Sequence, residues 1–455
     1  MSSETPKEPP RPGRLIVPGA ESGPEPSAAP RIVLPPGVSA GRDEEVPEHP
    51  RLRPLVLVPF SDGQRDLVLV SDPFGVIPGQ PVLGIEALAI LQLLDGSVSL
   101  TDLTVALMRE NKDLRMGSMV RDFVRQLDDL LMLDSPRFET AYRELREAWH
   151  QLEIRPAALE GKSYPAERAE CEAFLDAHFA AAEALRAVDG QPAAAPDALP
   201  HALLLPHLDP RRSGPAIARA LLELGPEQKE PLRVVVFGTG HSLMDERYAL
   251  TRKHFETPLG KLPCDTAFVD ALVAKLGDAA WHGELTHRDE HSIEFAALYL
   301  LKRLAGRPVK MVPILCGGFG TLLDEGKTAR DDAGFEAMLA AVRETEQKLG
   351  GPTLYVAAAD LSHVGPRFGD PALDDHTRQE IDGKDRAALA AAEQGDAEGW
   401  FQAIAAHDDS TRICGFAPTY AVLRSAEPGA GRLLRYEQSG EKDSTIVSIA
   451  AMVWP

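Results

Sequence analysis

Apolar and polar positions change their spacing twice along this chain of 455 residues. Residues 1–50 mix proline, glycine, serine and glutamate, which predicts a disordered tail because too little apolar surface is available to offset the ordering entropy. Between residues 51 and 140, two apolar runs flank Asp62-Gly63, which predicts a β-hairpin. From residue 158 to the end, short apolar runs alternate with helical periods. The pattern therefore predicts a tail followed by two folded domains.

The first domain, residues 51–140, has the pattern of a small winged-helix-like α+β unit. Helices are predicted over residues 85–94 and 102–110 and from residue 117 onward. A charged helix over 138–152 follows and falls mostly in a linker assigned to residues 141–157. The third helix would be the one to enter a DNA groove, and its acidic side chains outnumber its basic ones. This charge pattern does not favour binding to phosphates.

In the second domain, residues 158–455, strands and helices alternate. Strands are predicted over 202–205, 233–237, 310–315, 353–358 and 445–453. Helices are predicted over 215–224, 264–276, 291–304, 334–348 and 374–393. Such alternation predicts an α/β fold with a mostly parallel sheet flanked by helices.

Side chains that bind metals or transfer protons stand where several of these apolar runs stop. They are His207, His241, Asp360, His363, His291 and Cys414. The first four follow strands, and the last two stand at helix starts, where backbone N–H groups would favour a thiolate. We expect them to meet, because the carboxyl ends of parallel strands share one edge of a sheet. Imidazole and thiolate together favour iron, copper or zinc over magnesium or calcium.

Net charge and cysteine content narrow the range of partners. The formal charge of −21 makes non-specific binding to nucleic acid unfavourable. Four separated cysteines without a CxxC pair indicate a reducing compartment. No apolar run approaches the roughly 18 residues of a membrane span, and no secretory signal is recognisable. We therefore expect a cytoplasmic protein that binds neither nucleic acid nor membrane.

Residues 158–455 resemble the Memo family, also known as the B component of AmmeMemoRadiSam systems. The segments that carry the resemblance are GKSYPAER, PHLDPRRSG, VVFGTGHS, DEHSIEF, VPILCGG, AADLSHVG and CGFAP, in family order. The resemblance implies a fold similar to class III extradiol dioxygenases, built around a mononuclear metal. The chain departs from the family after the first strand, where an aromatic is lost and Asp209, Arg211 and Arg212 are gained.

The resemblance also implies roles for individual residues. It implies that His207, His241 and Cys414 are metal ligands. It implies that His291, His363 and Asp360 are catalytic residues and that Glu290, Glu294 and Ser213 are cofactor-binding residues. His291 and Glu294 stand three residues apart, which predicts that they share one helix face. Iron or copper is the expected metal, with zinc as the alternative. Cys316 matches no family position, and we expect it to pack in the core.

Residues 51–140 resemble the small PqqD-like domains that hold substrate peptides for radical SAM enzymes. Two functions are compatible with both resemblances. The first is a metal-dependent redox or dioxygenase-like component of a radical SAM-linked modification system, with a zinc hydrolase as alternative chemistry. The second is a non-catalytic peptide-binding adaptor for a radical SAM partner. The expected partners are a radical SAM enzyme, its AmmeMemoRadiSam companions, and a peptide or small-molecule substrate.

Overall fold

The computed structural model describes residues 32–33, 46–113, 115–195, 197–225, 231–243, 246–441 and 443–455. The chain divides into two compact units, unit 1 (Met1–Ala141) and unit 2 (Tyr142–Pro455). The predicted disordered tail over residues 1–50 lies mostly outside the described residues. No helix in the described part of the chain is both long and apolar enough to cross a membrane.

Unit 1 is a four-stranded antiparallel sheet with short helices. Its elements are β1 Ile32–Val33, β2 Val56–Ser61, β3 Asp66–Ser71, β4 Val82–Gly84, α1 Ala87–Leu91, α2 Leu100–Asn111 and α3 Met116–Asp129. The strand order is β1-β4-β3-β2. Strands β2 and β3 form the predicted hairpin, and Gly63 in its loop has a φ of +85°. One face of the sheet packs on the helices, with Val68 and Leu83 in the same core as Phe123 and Leu127.

Unit 2 is built on a large mixed sheet with the strand order β13-β15-β6-β12-β7-β11-β8, in which β14 also pairs with β15. A small second sheet has the order β10-β9-β5. The strands of unit 2 are β5 Ile154–Arg155, β6 Ala202–Leu205, β7 Leu232–Thr239, β8 Tyr248–Leu250, β9 His254–Thr257, β10 Gly260–Leu262, β11 Val309–Cys316, β12 Thr353–Ala358, β13 His363–Val364, β14 Arg432–Gly440 and β15 Ile446–Trp454.

Helices cover both faces of the large sheet. Helix α4, Pro136–His150, spans the boundary between the units, and the helices of unit 2 are α5 Arg168–Val188, α6 Pro210–Leu221, α7 Thr266–Leu276, α8 Ser292–Arg303, α9 Gly320–Asp324, α10 Ala333–Leu349, α11 Asp375–Glu393, α12 Ala397–Ala405 and α13 Phe416–Ala426. Short 3₁₀ helices lie at Asp278–Trp281, Glu284–Arg288, Ala329–Asp331 and Pro366–Phe368.

The centre of the large sheet follows from its apolar strands. Strands β6, β12, β7 and β11 are mutually parallel neighbours. All of β6 is buried: Leu204 belongs to the core on one face, and Leu203 and Leu205 belong to the core on the other. A strand buried on both faces needs apolar residues at every position, which is why these strands were recognisable as continuous apolar runs. The predicted α/β class, a sheet flanked by helices, is confirmed.

Two local predictions differ from the structure. The last strand, β15, runs antiparallel to β6, because it returns from β14 through a hairpin that the sequence pattern did not reveal. Helix α6 begins at Pro210 instead of residue 215, because the Asp209 side chain caps it and accepts a hydrogen bond from the Arg211 N–H. Proline fits the first helical turn, so Pro210 starts the helix, and Pro215 lies inside it.

The stretch predicted as a linker, residues 141–157, contributes to the packing of unit 2. Trp149 is buried, and its indole N–H donates to the Glu284 carbonyl at 3.2 Å. Arg155 is completely buried. The compact unit thus starts before residue 158, where the family-like sequence was expected to begin.

This packing predicts different stabilities for two fragments of unit 2. A fragment that starts at Tyr142 should unfold cooperatively in urea. A fragment that starts at Ala158 should be less stable by about 3–5 kcal/mol, because it loses a buried tryptophan and leaves the buried Glu294 carboxylate without Arg155. Equal unfolding midpoints for the two fragments would contradict the assignment of residues 142–157 to unit 2.

Candidate metal centre

Three of the candidate side chains follow parallel neighbouring strands at the same edge of the large sheet. His207 comes after β6, Asp360 after β12 and His241 after β7. The strands end in register, since Ala358 pairs with both Leu205 and Gly238. These residues therefore converge at the edge where ligands bind in open α/β sheets.

Two helix starts bring further candidates to this edge. His291 is the N-cap of α8, and Cys414 lies just before Gly415, the N-cap of α13. A Cβ atom at position 415 would stand 2.4 Å from the Asp360 carbonyl oxygen. Only glycine permits this close approach, which brings Cys414 next to the end of β12.

The side chains form one compact cluster. The Cys414 Sγ lies 3.4 Å from the His207 Nε2, and the Asp360 Oδ2 lies 3.8 Å from the same nitrogen. The ring of His207 is 5.2 Å from that of His241 and 5.2 Å from that of His291, measured between centroids. Donor atoms of His207, His241 and His291 all lie within 4.8 Å of one another, as do those of His207, Asp360 and Cys414. His207 is the member that both groups share.

Hydrogen bonds fix the orientation of the histidine rings. The Nδ1 of His207 is 3.0 Å from the Ala358 carbonyl, and that of His363 is 2.8 Å from the Leu361 carbonyl. A carbonyl can only accept, so these Nδ1 atoms carry the proton and each Nε2 keeps its lone pair. The Nδ1 of His241 lies 3.0 Å from the Glu290 carboxylate, and that of His291 lies 3.2 Å from it. This arrangement, with the outer nitrogen bound to an acceptor, is typical of metal-binding histidines.

Glu290 connects two of the rings to the backbone. Its Oε2 accepts from the backbone N–H of His241 at 2.9 Å, and its Oε1 accepts from those of His291 and Ser292 at 2.8 and 3.0 Å. Burial alone would raise the pKa of this carboxyl, but the hydrogen bonds from His241 and His291 hold it well below its usual range. Glu290 is therefore a buried anion that fixes both imidazoles.

The two histidines that follow β6 and β7 have opposite protonation preferences. Complete burial lowers the pKa of His207 well below its ordinary value, so its ring is neutral. Burial also opposes the charge of His241, but hydrogen bonds with Cys414 and Glu290 raise its pKa well above the ordinary value. The side chain of His241 remains 37 % exposed, at the open side of the cluster.

Burial dominates the acidity of Cys414. It raises the pKa of the thiol, and the hydrogen bond with His241 offsets this only in part. The expectation that a helix start would favour a thiolate here is wrong for the metal-free chain, because desolvation outweighs the N–H groups. Burial also raises the pKa of the Asp360 carboxyl and lowers that of His363.

The family model described as "Memo-like protein" matches residues 155–453, which is more than half of the chain. This chain belongs to the Memo-like family. It is similar to a MEMO1 family protein of Aquifex aeolicus, with 25 % identity over 412 residues that cover 89 % of this chain and 99 % of the relative. It is also similar to MEMO1 family proteins of Thermus thermophilus (28 % identity, covering 70 % and 86 % of the two chains) and Methanopyrus kandleri (26 %, covering 66 % and 98 %).

The Aquifex match extends beyond the Memo-like region. Its 89 % coverage of this chain is more than unit 2 alone can supply, so it also includes a large part of unit 1. Unit 1 is therefore shared with at least one Memo-like relative.

Two residues that were expected to bind a cofactor face elsewhere in the Memo-like unit. The Ser213 hydroxyl is buried in α6 and donates to the Leu208 carbonyl at 2.6 Å. The predicted shared face does not bring Glu294 to the cluster, where the His291 ring lies against the rings of His207 and His241. Both Glu294 oxygens bind other groups, among them the Arg155 guanidinium and the Tyr164 hydroxyl. Cys316 is buried at the end of β11, in the core, as expected.

Sequence reasoning missed the groups that hold the cluster from outside. The Thr239 hydroxyl donates to the Cys414 carbonyl at 3.0 Å, and the Ser292 hydroxyl donates to the Thr239 carbonyl at 2.9 Å. Arg155 donates to the Glu290 carbonyl at 2.8 Å. For Thr239, the strand-end position between Gly238 and Gly240 was a usable signal. For Arg155 the sequence offered none.

The coupling of Glu290 and His241 predicts a pH-dependent stability in the metal-free protein. Because folding raises the pKa of His241, its contribution to the stability of the fold is complete below pH 6.5. This contribution is lost as the pH rises through the folded-state pKa. A lowered glutamate pKa stabilises above about pH 4.5 and is lost on acidification. Both contributions are complete between about pH 4.5 and about pH 6.5. Glu290→Gln should therefore destabilise the protein most in this range, by about 1 kcal/mol given the partial exposure of His241.

Urea unfolding from pH 4 to pH 9 measures this effect. The matched control is Glu380→Gln, because Glu380 faces His376 at 3.5 Å in an exposed helical pair and should change stability little at any pH. If Glu290→Gln lowers stability by the same amount at every pH, the proposed coupling does not exist.

Proposed function

We propose that this Memo-like chain holds a single metal ion through His207, His241 and Cys414. We further propose that it acts as a redox or dioxygenase-like component of a radical SAM-linked modification system. The observation that supports the metal site is the convergence of these side chains. The Nε2 of the buried His207 meets the Cys414 Sγ at 3.4 Å, while the outer nitrogens of His207 and His241 are bound to acceptors.

The chemistry of these donors fits a transition metal. His207 is neutral, as a ligand must be, and Glu290 orients the ring of His241. Two imidazoles and a thiolate suit iron, copper or zinc, and leave coordination positions for a substrate. Iron or copper would supply redox chemistry. Zinc would instead support hydrolysis, which is the alternative chemistry.

The remaining polar groups would bind and transfer protons. The His363 Nδ1 donates to a backbone carbonyl, so its Nε2 is the atom that accepts or gives a proton. The His291 side chain is 36 % exposed and stacks on His241 at 4.8 Å, which suits exchange of a proton with solvent. Burial raises the pKa of the Asp360 carboxyl, which lies 3.8 Å from the His207 Nε2 and is the remaining acid–base group of the cluster.

Metal stoichiometry of purified variants tests the assignment. His207→Ala, His241→Ala and Cys414→Ala should each lower metal affinity by at least about 100-fold, because each removes a ligand. His363→Ala should retain the metal. His376→Ala, whose side chain is 80 % exposed, is the matched control. Elemental analysis after anaerobic purification also separates iron or copper from zinc.

His291 is the variant that can revise the ligand set, because its donor atom lies within 4.8 Å of those of His207 and His241. Loss of metal in His291→Ala with retention in Cys414→Ala would replace the proposed set by three histidines. Full metal content in all the ligand variants would refute the metal site.

The surface of unit 1 favours a second function, a peptide-binding adaptor for a radical SAM partner. Val56, Val58 and Phe60 alternate along the edge strand β2, and their exposed fractions are 52, 45 and 40 %. They lie on the sheet face away from the helices, since the pairing partners of Val58 and Phe60 are the half-buried Leu69 and Leu67. A row of exposed apolar side chains is typical of an interaction surface.

Aspartate substitution tests this surface. Phe60→Asp should weaken co-purification with a co-expressed radical SAM companion by at least tenfold, because a charge cannot enter an apolar interface without a partner. Val105→Asp is the control, since Val105 is similarly exposed but lies on α2. Equal recovery of the companion with both variants would contradict the adaptor function of this face.

A further inference from the structure

Arg155, in the short strand β5, is a completely buried arginine outside the cluster. All three of its nitrogens donate to groups around the start of α8. The Nε donates to the His287 carbonyl at 2.7 Å, the Nη2 to the Glu290 carbonyl at 2.8 Å, and the Nη1 to the Glu294 carboxylate at 2.5 Å. The guanidinium therefore binds the turn before α8 and the first turn of α8 together.

Glu294 completes this contact from inside the helix. It is fully buried, and besides Arg155 its oxygens accept from the Tyr164 hydroxyl and from the backbone N–H groups of Ala158 and Leu159. The segment from β5 to Tyr164 is thereby joined to α8. Apart from a second Nη1 bond to the Pro156 carbonyl at 3.1 Å, the hydrogen bonds of this network are directed at α8 or at the residues just before it.

The turn that Arg155 binds carries the residues that orient the cluster. Glu290, whose carbonyl accepts from Arg155, holds the rings of His241 and His291 with its carboxylate. The backbone N–H of His291 also donates to that carboxylate. A displacement of this carbonyl would move the carboxylate and both rings with it.

We propose that Arg155 is a positioning residue for the metal centre and acts through Glu290 on His241 and His291. The planar guanidinium fits this role because its donors point in fixed directions at three separate acceptors. A lysine ammonium is a point charge and cannot match this geometry. A buried ion pair often stabilises a fold no more than apolar residues of similar volume would. The role of this pair is therefore to fix the geometry of the turn.

Arg155→Lys is the decisive variant, and Arg219→Lys is its matched control. Arg219 is also completely buried and pairs with a carboxylate, that of Glu223 at 2.7 Å, but it lies in α6 and touches neither Glu290 nor the cluster histidines. Both variants should lower the melting temperature to a similar extent. A purely structural role would make them equivalent in every other measurement.

The first measurement uses metal-free protein and does not depend on the proposed metal site. Nitrogen-15 NMR of the imidazoles should report Nδ1–H forms for His241 and His291 in the wild type at a pH where His241 is neutral. Arg155→Lys should shift both sets of signals toward a mixture of tautomers, while Arg219→Lys should leave them unchanged. Wild-type imidazole signals in Arg155→Lys would overturn the proposal.

The second measurement rests on the proposed function and uses Zn²⁺ or Fe²⁺ added to the full chain. Arg155→Lys should bind either ion about 10- to 100-fold more weakly than Arg219→Lys does. If the wild type binds neither ion, the proposed function fails, and the NMR result still decides the positioning role. Should Arg155→Lys not fold, Glu294→Gln replaces it: shifted imidazole signals would support the proposal, and unchanged ones would refute it.

Discussion

The cluster depends on one buried carboxylate, that of Glu290. It accepts three backbone N–H groups and faces two imidazoles, so it joins the end of β7 to the start of α8. An unpaired anion at this depth would be strongly unfavourable, whereas an anion with this many donors is stable. The same contacts determine which nitrogen of each ring is free. The local fold and the chemistry of the site therefore rest on the same hydrogen bonds.

The backbone of unit 2 supplies the rest of the geometry. Parallel strands in register place His207, Asp360 and His241 at one edge, and the approach of Gly415 to the Asp360 carbonyl adds Cys414. The carbonyls of Ala358 and Leu361, next to the end of β12, then accept from the rings of His207 and His363. Strand ends thus provide both the side chains and the acceptors that orient them.

The sequence predicted the residues that this geometry collects, because strand ends are visible as the places where apolar runs stop. It predicted the central strands for the same reason, since strands buried on both faces are apolar throughout. It did not predict the direction of β15, which depends on the hairpin with the half-buried β14. It also misplaced Glu294. The three-residue spacing from His291 did not reveal Arg155 and Tyr164, which bind the Glu294 carboxylate outside the cluster.

Charges show why a buried site of this kind can exist with and without a metal. In the metal-free chain, the raised pKa of His241 and the lowered pKa of Glu290 favour an imidazolium beside a carboxylate. His207 and the Cys414 thiol are neutral, and burial favours the neutral form of Asp360. The charges of His241 and Glu290 then cancel.

A divalent ion held by His207, His241 and Cys414 would release one proton from the imidazolium and one from the thiol. Two positive charges would replace two protons, so the net charge of the cluster would not change. Because burial penalises uncompensated charge most strongly, this exchange avoids a large electrostatic cost in either state. The opposite pKa shifts of His207 and His241 therefore suit a set of side chains that stays compensated in charge with and without the ion.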